Sequence, residues 1–156
     1  MIDVSSFDIH PKYDANTLDN DIAFVTLAES FSDVIPALLP TKGNFPSYGS
    51  SVQIYGWGKT SQGGSLSNNL RTASVDNISR TNCQSVYGPI TSITNREFCV
   101  SSKNGKGASE ADQGGPVVDP TGTLVGIISR TEEAGHYPGV EIQVEAYLDW
   151  INSKLA

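Results

Sequence analysis

Six short runs of β-prone residues, each closed off by turn formers, constrain this chain more than any other feature of its sequence. Asp21 to Leu27 (DIAFVTL), Ser50 to Gly58 (SSVQIYGWG), Leu70 to Ile78 (LRTASVDNI), Arg96 to Ser102 (REFCVSS), Gly115 to Asp119 (GPVVD) and Thr123 to Ser129 (TLVGIIS) read as strands. Between them lie SQGGSLSNN, KNGKG, DPTG and EEAGHYPG, which have the chemistry of turns and exposed loops. In Asp119-Pro120-Thr121-Gly122 the proline presets φ and the glycine accepts positive φ, so a hairpin is expected there. Only the end reads as helix, with Val144, Tyr147, Leu148, Ile151 and Leu155 on one face at helical spacing. Arg80 to Gly88 has room for a short helical turn. The fold class is therefore all-β and antiparallel with a C-terminal α-helix. A closed barrel is the natural way to hide so many strand edges.

Composition narrows the function classes. The 156 residues suffice for one sizeable domain, and a formal charge of −7 argues against a nucleic-acid partner. No apolar run approaches the roughly 18 residues that cross a bilayer, so no membrane partner is expected. The two cysteines, Cys83 and Cys99, have no His or Cys at metal-ligand spacing, and neither a metal nor a cofactor is expected. They read as one disulfide closing a surface loop, with free thiols as the alternative. The disulfide fits an oxidising compartment, as does the sequon Asn77-Ile78-Ser79, a candidate glycosylation site. The opening MIDVSSFDIHPKYD lacks the basic start and apolar stretch of a signal peptide. The expected location is extracellular, with the signal not present in this chain.

Several segments then line up, in order, with one family. HPKYDANTLDNDIAFVTL, QIYGWGKTSQGG, NCQSVYGPITSITNREFCV, ADQGGPVVD, YPGV and YLDWI together resemble the trypsin/chymotrypsin-like serine proteases from about His10 to Ile151. The resemblance implies two β-barrels with the active site between them. Residues 46–156 would form the complete second barrel plus the C-terminal helix. Residues 1–45 would be a remnant of the first barrel and the connection between the two. It also implies that Asp21 matches the catalytic aspartate, that Cys83 pairs with Cys99, and that Gln113 stands at the serine nucleophile's position. Ala111 and Gln113 match the oxyanion-hole backbone, and Gly107, Ser129, Arg130, Thr131 and Gly139 the specificity pocket. Asp112 matches the aspartate that pairs with a newly released N-terminal amine in active members.

The departures from the pattern set the functional expectation. A carboxamide at Gln113 offers no ionisable proton for a base to take, and the segment that carries the family's catalytic histidine is missing ahead of His10. His10 reads as a surface feature and His136 as a loop histidine; Asp21 has the alternative reading of a turn aspartate. Gly107 leaves a Lys/Arg preference without an evident source. Arg130 stands for an aromatic wall, Glu141 for a residue that is often aromatic, and Ala111 for a glycine whose backbone it resists copying. Glu110, Asp112, Glu132, Glu133 and Glu141 gather around the site in sequence, as a solvated face or a binding surface. From these residues the chain is expected not to be an enzyme. It is expected to be a non-catalytic, protein-binding homologue acting as a decoy or inhibitor of an unidentified protein partner. The alternatives are a fragment or mutated form of an endopeptidase that hydrolyses peptide bonds, and an oligomerising scaffold. For the last, a homodimer would cover apolar residues between Phe24 and Pro40, including Phe31, Val34, Ile35, Leu38 and Leu39.

Overall fold

The computed structural model describes residues 2–101, 105–131 and 137–155. Two strands come first, β1 (Val4–Ile9) and β2 (Ala23–Leu27), and pair antiparallel as a two-stranded sheet. Six more follow: β3 (Ser51–Gly56), β4 (Arg71–Ile78), β5 (Glu97–Ser101), β6 (Pro116–Val118), β7 (Leu124–Arg130) and β8 (Gly139–Gln143). They close into an antiparallel barrel in the order β3-β4-β5-β8-β7-β6. Closure is made by β6 against β3, with Val118 opposite Gln53 and Val117 opposite Ile54. The expected antiparallel β class and barrel are thus observed.

Branched and aromatic residues fill the barrel because alternate positions of each strand face inward. Val52, Ile54, Val75, Phe98, Val100, Val117, Val125 and Ile128 form one buried cluster, with Phe45 packed edge-on against Phe98. The hairpin between β6 and β7 falls at Asp119–Gly122 as expected. Asp119 Oδ1 accepts the backbone N–H groups of Thr121 and Thr123, and Gly122 takes φ 88°.

The stretch expected to hold one short helical turn is a two-turn helix, α1 (Arg80–Tyr87). Ser79 caps its start by accepting the N–H of Asn82, and Gly88 ends it. Cys83 and Cys99 are joined in a disulfide that ties α1 to β5, both sulfurs fully buried. At the C-terminus a 3-10 turn (Val144–Tyr147) leads into α2 (Leu148–Leu155). Tyr147 is buried with Ile22 and Ile142, and Trp150 and Ile151 pack on them, whereas Leu155 of the expected apolar face is exposed.

The sequence reading missed two strands. In β1 (VSSFDI) no residue is buried, so it lacks the inward-outward alternation that marks a half-buried strand. In β8 (GVEIQ) Glu141 interrupts the apolar run, yet the structure buries it completely. Phe31, Val34, Ile35, Leu38 and Leu39 are all exposed, as are Phe7, Ile9, Val25 and Leu27 on the two-stranded sheet.

Candidate active site

The site sits where the start of β2, the end of β7 and the turn before β6 meet. Asp21 is placed by its neighbours on both sides. Buried Asn20 takes φ 58°, donates its amide to Lys12 O at 2.9 Å, and accepts the Tyr147 hydroxyl at 3.2 Å. Asp21 Oδ2 in turn accepts the hydroxyl of Ser129 at 2.7 Å. Ser129, expected to belong to the specificity pocket, and Asp21, expected to match the catalytic aspartate, are therefore in direct contact.

The turn from Ser109 to Gly115 is held from within and from below. Asp112 N–H donates to Ser109 O, Gly115 N–H to Asp112 O, and Gly114 N–H to Ile128 O of β7. Asp112 Oδ1 accepts the N–H of Gly58 at 2.7 Å, and Oδ2 accepts the N–H of Ser109 at 2.9 Å and its hydroxyl at 3.2 Å. A Cβ on Gly56 would lie 1.8 Å from Oδ1, and one on Gly58 2.5 Å from Asp112 Cγ, so the carboxylate can approach only a glycine backbone. Both Asp112 oxygens are thus bonded to backbone N–H groups, those of Gly58 and Ser109.

Ala111 corrects an expectation. It adopts φ 72°, the conformation a glycine would take, so the oxyanion-type N–H is not turned away by the methyl group. That N–H donates to Gln113 Oε1 at 3.0 Å, while Gln113 Nε2 donates to Thr131 Oγ1. The carboxamide thus spans from the turn to the strand that follows Ser129. Gly107, Gln113, Ile128 and Thr131 line one groove of about 850 Å³, together with Asp112 and Ser109.

Arg130, which stands for an aromatic wall in the resemblance, is folded into an ion pair with the fully buried Glu97 and donates to Thr91 Oγ1 at 3.0 Å. The acidic residues do not share a face: Glu110 is exposed and paired with Lys59 at 2.6 Å, Asp112 is half-buried, and Glu141 is fully buried. Glu132, Glu133 and His136 lie outside the described residues. Both oxygens of Glu141 lack a hydrogen-bond partner. Burial pushes its carboxyl up to about 8, against the opposing pull of the nearby Ser129 N–H, which does not reach hydrogen-bond geometry.

Other sequence candidates stand apart from the groove. His10 packs edge-on to Tyr147 and Trp150, with burial lowering its pKa first and Lys12 and Arg96 adding to the effect. Asn77 is fully buried with its amide nitrogen on Pro46 O at 2.7 Å, so the folded chain has no room for a glycan on that atom. Among the described residues no cluster of His, Cys, Asp or Glu is arranged to hold a metal, and no helix is long and apolar enough to cross a membrane.

Comparison with known proteins matches the family model described as Trypsin over residues 1–151. "Trypsin Blo t 3" of Blomia tropicalis is 39% identical over 93% of this chain and 58% of its own length. "Trypsin 5G1" of Aedes aegypti is 37% identical over 97% of this chain and 59% of its own length. The solved structure of neuropsin, a serine protease expressed in mouse brain, superposes with a TM-score of 0.89 at 30% identity, covering 99% of this chain and 72% of that one. The chain spans about three-fifths of the length of these curated trypsins.

These relatives overturn the expectation that the chain is not an enzyme. That expectation rested on Gln113, on the departures at Gly107, Ala111, Arg130 and Glu141, and on a histidine segment sought ahead of His10. Proteins named trypsins match nearly the whole chain at 36–39% identity while extending well beyond it, so the missing segment carries no weight.

Proposed function

Since the chain belongs to the trypsin family of serine proteases, we propose that it is a portion, with glutamine at the nucleophile's position, of a trypsin-like endopeptidase that hydrolyses peptide bonds. The observation that carries this reading is the 2.7 Å bond from Ser129 to Asp21. It ties the candidate orienting carboxylate to the strand that leads to Thr131, a lining residue of the groove and the partner of Gln113. A histidine contributed by polypeptide outside this chain would receive its orientation from Asp21. In the Gln113→Ser form the serine hydroxyl, passing its proton to that histidine, would attack the substrate carbonyl carbon, and Ala111 N–H would bind the oxyanion that develops there.

The protein-binding reading keeps a narrower place here: the groove holds a polypeptide segment as substrate. In the same reading β1 and β2 belong to a first barrel, and residues 46–156 to the second. The exposed Phe7, Ile9, Val25 and Leu27 are then covered by the rest of that barrel, with a homodimer as the alternative cover. Light scattering of the full-length protein decides this, a dimer supporting the alternative. The buried disulfide supports secretion.

The test compares full-length protein with its Gln113→Ser form on casein and with a fluorophosphonate label. Cleavage by either form supports the reading. Absence of both cleavage and label in both forms overturns it.

A further inference from the structure

Partway along β7 the strand exchanges its faces. Ile128 stands opposite Glu141 and Arg130 opposite Val140, so two steps along β7 match one along β8, and Ser129 is the extra residue of a β-bulge. Side chains alternate along a strand, and directly opposite residues share a face. Ile128 and Phe98, both opposite Glu141, belong to the cluster inside the barrel. Val140, opposite Cys99, belongs to the outer cluster with Cys83 and Tyr87 of α1. An unbulged strand would put Arg130 on the inner face with Ile128, and Thr131 on the outer one. The bulge reverses both: Arg130 projects outward with Val140, and Thr131 lines the groove with Ile128.

The outward Arg130 meets Glu97, which also faces outward, opposite Ile142. Its second contact is Thr91 Oγ1. Both partners are themselves held. Glu97 Oε2 accepts the N–H of Thr94 at 2.8 Å. Thr91 O accepts the Gln84 amide of α1 at 2.9 Å, and Gln84 Oε1 accepts the N–H of Ile93 at 2.8 Å. A buried ion pair adds little over well-packed apolar side chains, and its best-attested use is to fix register. Only the bulged register brings these two charges together. The unbulged one would leave Glu97 buried without its cation and place Arg130 inside the barrel.

We infer that Arg130 is a positioning residue of the site: its pair with Glu97 holds the bulge, and the bulge aims Ser129 at Asp21 and Thr131 at Gln113. Its part in turnover rests on the endopeptidase reading; its hold on the register does not.

Urea unfolding of the full-length protein tests this, with Ser129→Ala as the probe of the Asp21 bond. Ser129→Ala should lower the midpoint in the unsubstituted protein. In the Glu97→Leu, Arg130→Met background, where apolar side chains fill the space but select no register, it should do so less than about half as much. In Arg130→Lys, which keeps the ion pair, the full loss should return. An undiminished loss in the double variant would overturn the proposal, as would a loss that vanishes in Arg130→Lys. A direct check needs no variant to fold: nuclear Overhauser contacts should place Arg130 opposite Val140, and contacts with Gly139 in its place, the partner in an unbulged strand, would overturn it. In the Gln113→Ser form the double replacement should cost about tenfold in kcat with KM little changed, because the lost alignment serves the transition state. An unchanged kcat there would end the positioning role. A Gln113→Ser form that cleaves casein in neither background sinks the endopeptidase reading alone, since the midpoints and the Overhauser contacts require no turnover.

Discussion

Ser129 and Asp21, 108 positions apart, are joined by a 2.7 Å hydrogen bond from hydroxyl to carboxylate. It is one link between the barrel and the segment that precedes it, because Asp21 immediately precedes Ile22 and β2 while Ser129 lies in β7. Hydrogen bonds to charged groups contribute about 1.5–3 kcal/mol. Ser129→Ala should therefore lower the unfolding free energy of the full-length protein by about 1–3 kcal/mol. Urea denaturation measures it, and combination with Asp21→Asn should cost less than the sum of the two single changes, since both remove the same bond.

Ala111 holds a backbone conformation that its methyl group disfavours, at φ 72°. Replacing it with glycine removes that conflict but gives the unfolded chain more freedom, and the first effect is the larger. Ala111→Gly is expected to raise stability by about 0.5–1 kcal/mol, read as a higher urea midpoint at constant slope. A lower midpoint would show that the turn's other bonds, and not residue 111, set its shape.

The Arg130–Glu97 pair lies in the barrel wall with 10% and 0% of the two side chains exposed. Removing one partner leaves the other charge buried, so Glu97→Gln should cost about 3–5 kcal/mol. The apolar double replacement Glu97→Leu with Arg130→Met should recover most of that loss. Thermal unfolding of the three proteins separates these outcomes, and an equal loss in the double variant would mean that the pair itself is net stabilising.

Glu141 makes stability depend on pH in a direction opposite to most carboxylates. Its folded value is raised from 4.5 to about 8, so the folded state binds the proton more tightly than the unfolded chain does. The resulting stability is fully present below pH 4.5, declines as pH rises, and is gone above about pH 8. At about 1.4 kcal/mol per unit the swing is on the order of 5 kcal/mol. Glu141→Gln should flatten this part of the profile between pH 5 and 9, and melting temperatures across that range would reveal it.

How much of this was legible in the sequence follows from what each residue type signals alone. The strands of the barrel announced themselves through Val and Ile flanked by Gly, Pro and Asn, and the hairpin through Asp-Pro-Thr-Gly. β8 stayed hidden because a buried carboxylate looks in sequence like a surface residue. β1 stayed hidden because a strand exposed on both faces has no period. At the site, Asp21 and the turn were found through their neighbours in sequence. The bond from Ser129, the pairing of Arg130 with Glu97 and the reach of Gln113 to Thr131 join positions 18 to 108 residues apart, and no local pattern records them. The same blindness produced the error about catalysis, since the departures around Gln113 were weighed without the relatives that only comparison supplies.

The strand order has a consequence for how the molecule is made. β8 lies between β5 and β7, and β6 returns to β3, so closure waits for residues 139–143, the last strand of the barrel in sequence. A nascent chain stopped at β7 carries open edges at β5 and β7, each able to pair with another molecule. Pairings this distant in sequence form slowly. Until β8 emerges the open barrel is prone to aggregate, and truncation within β8 would leave the two edges unpaired.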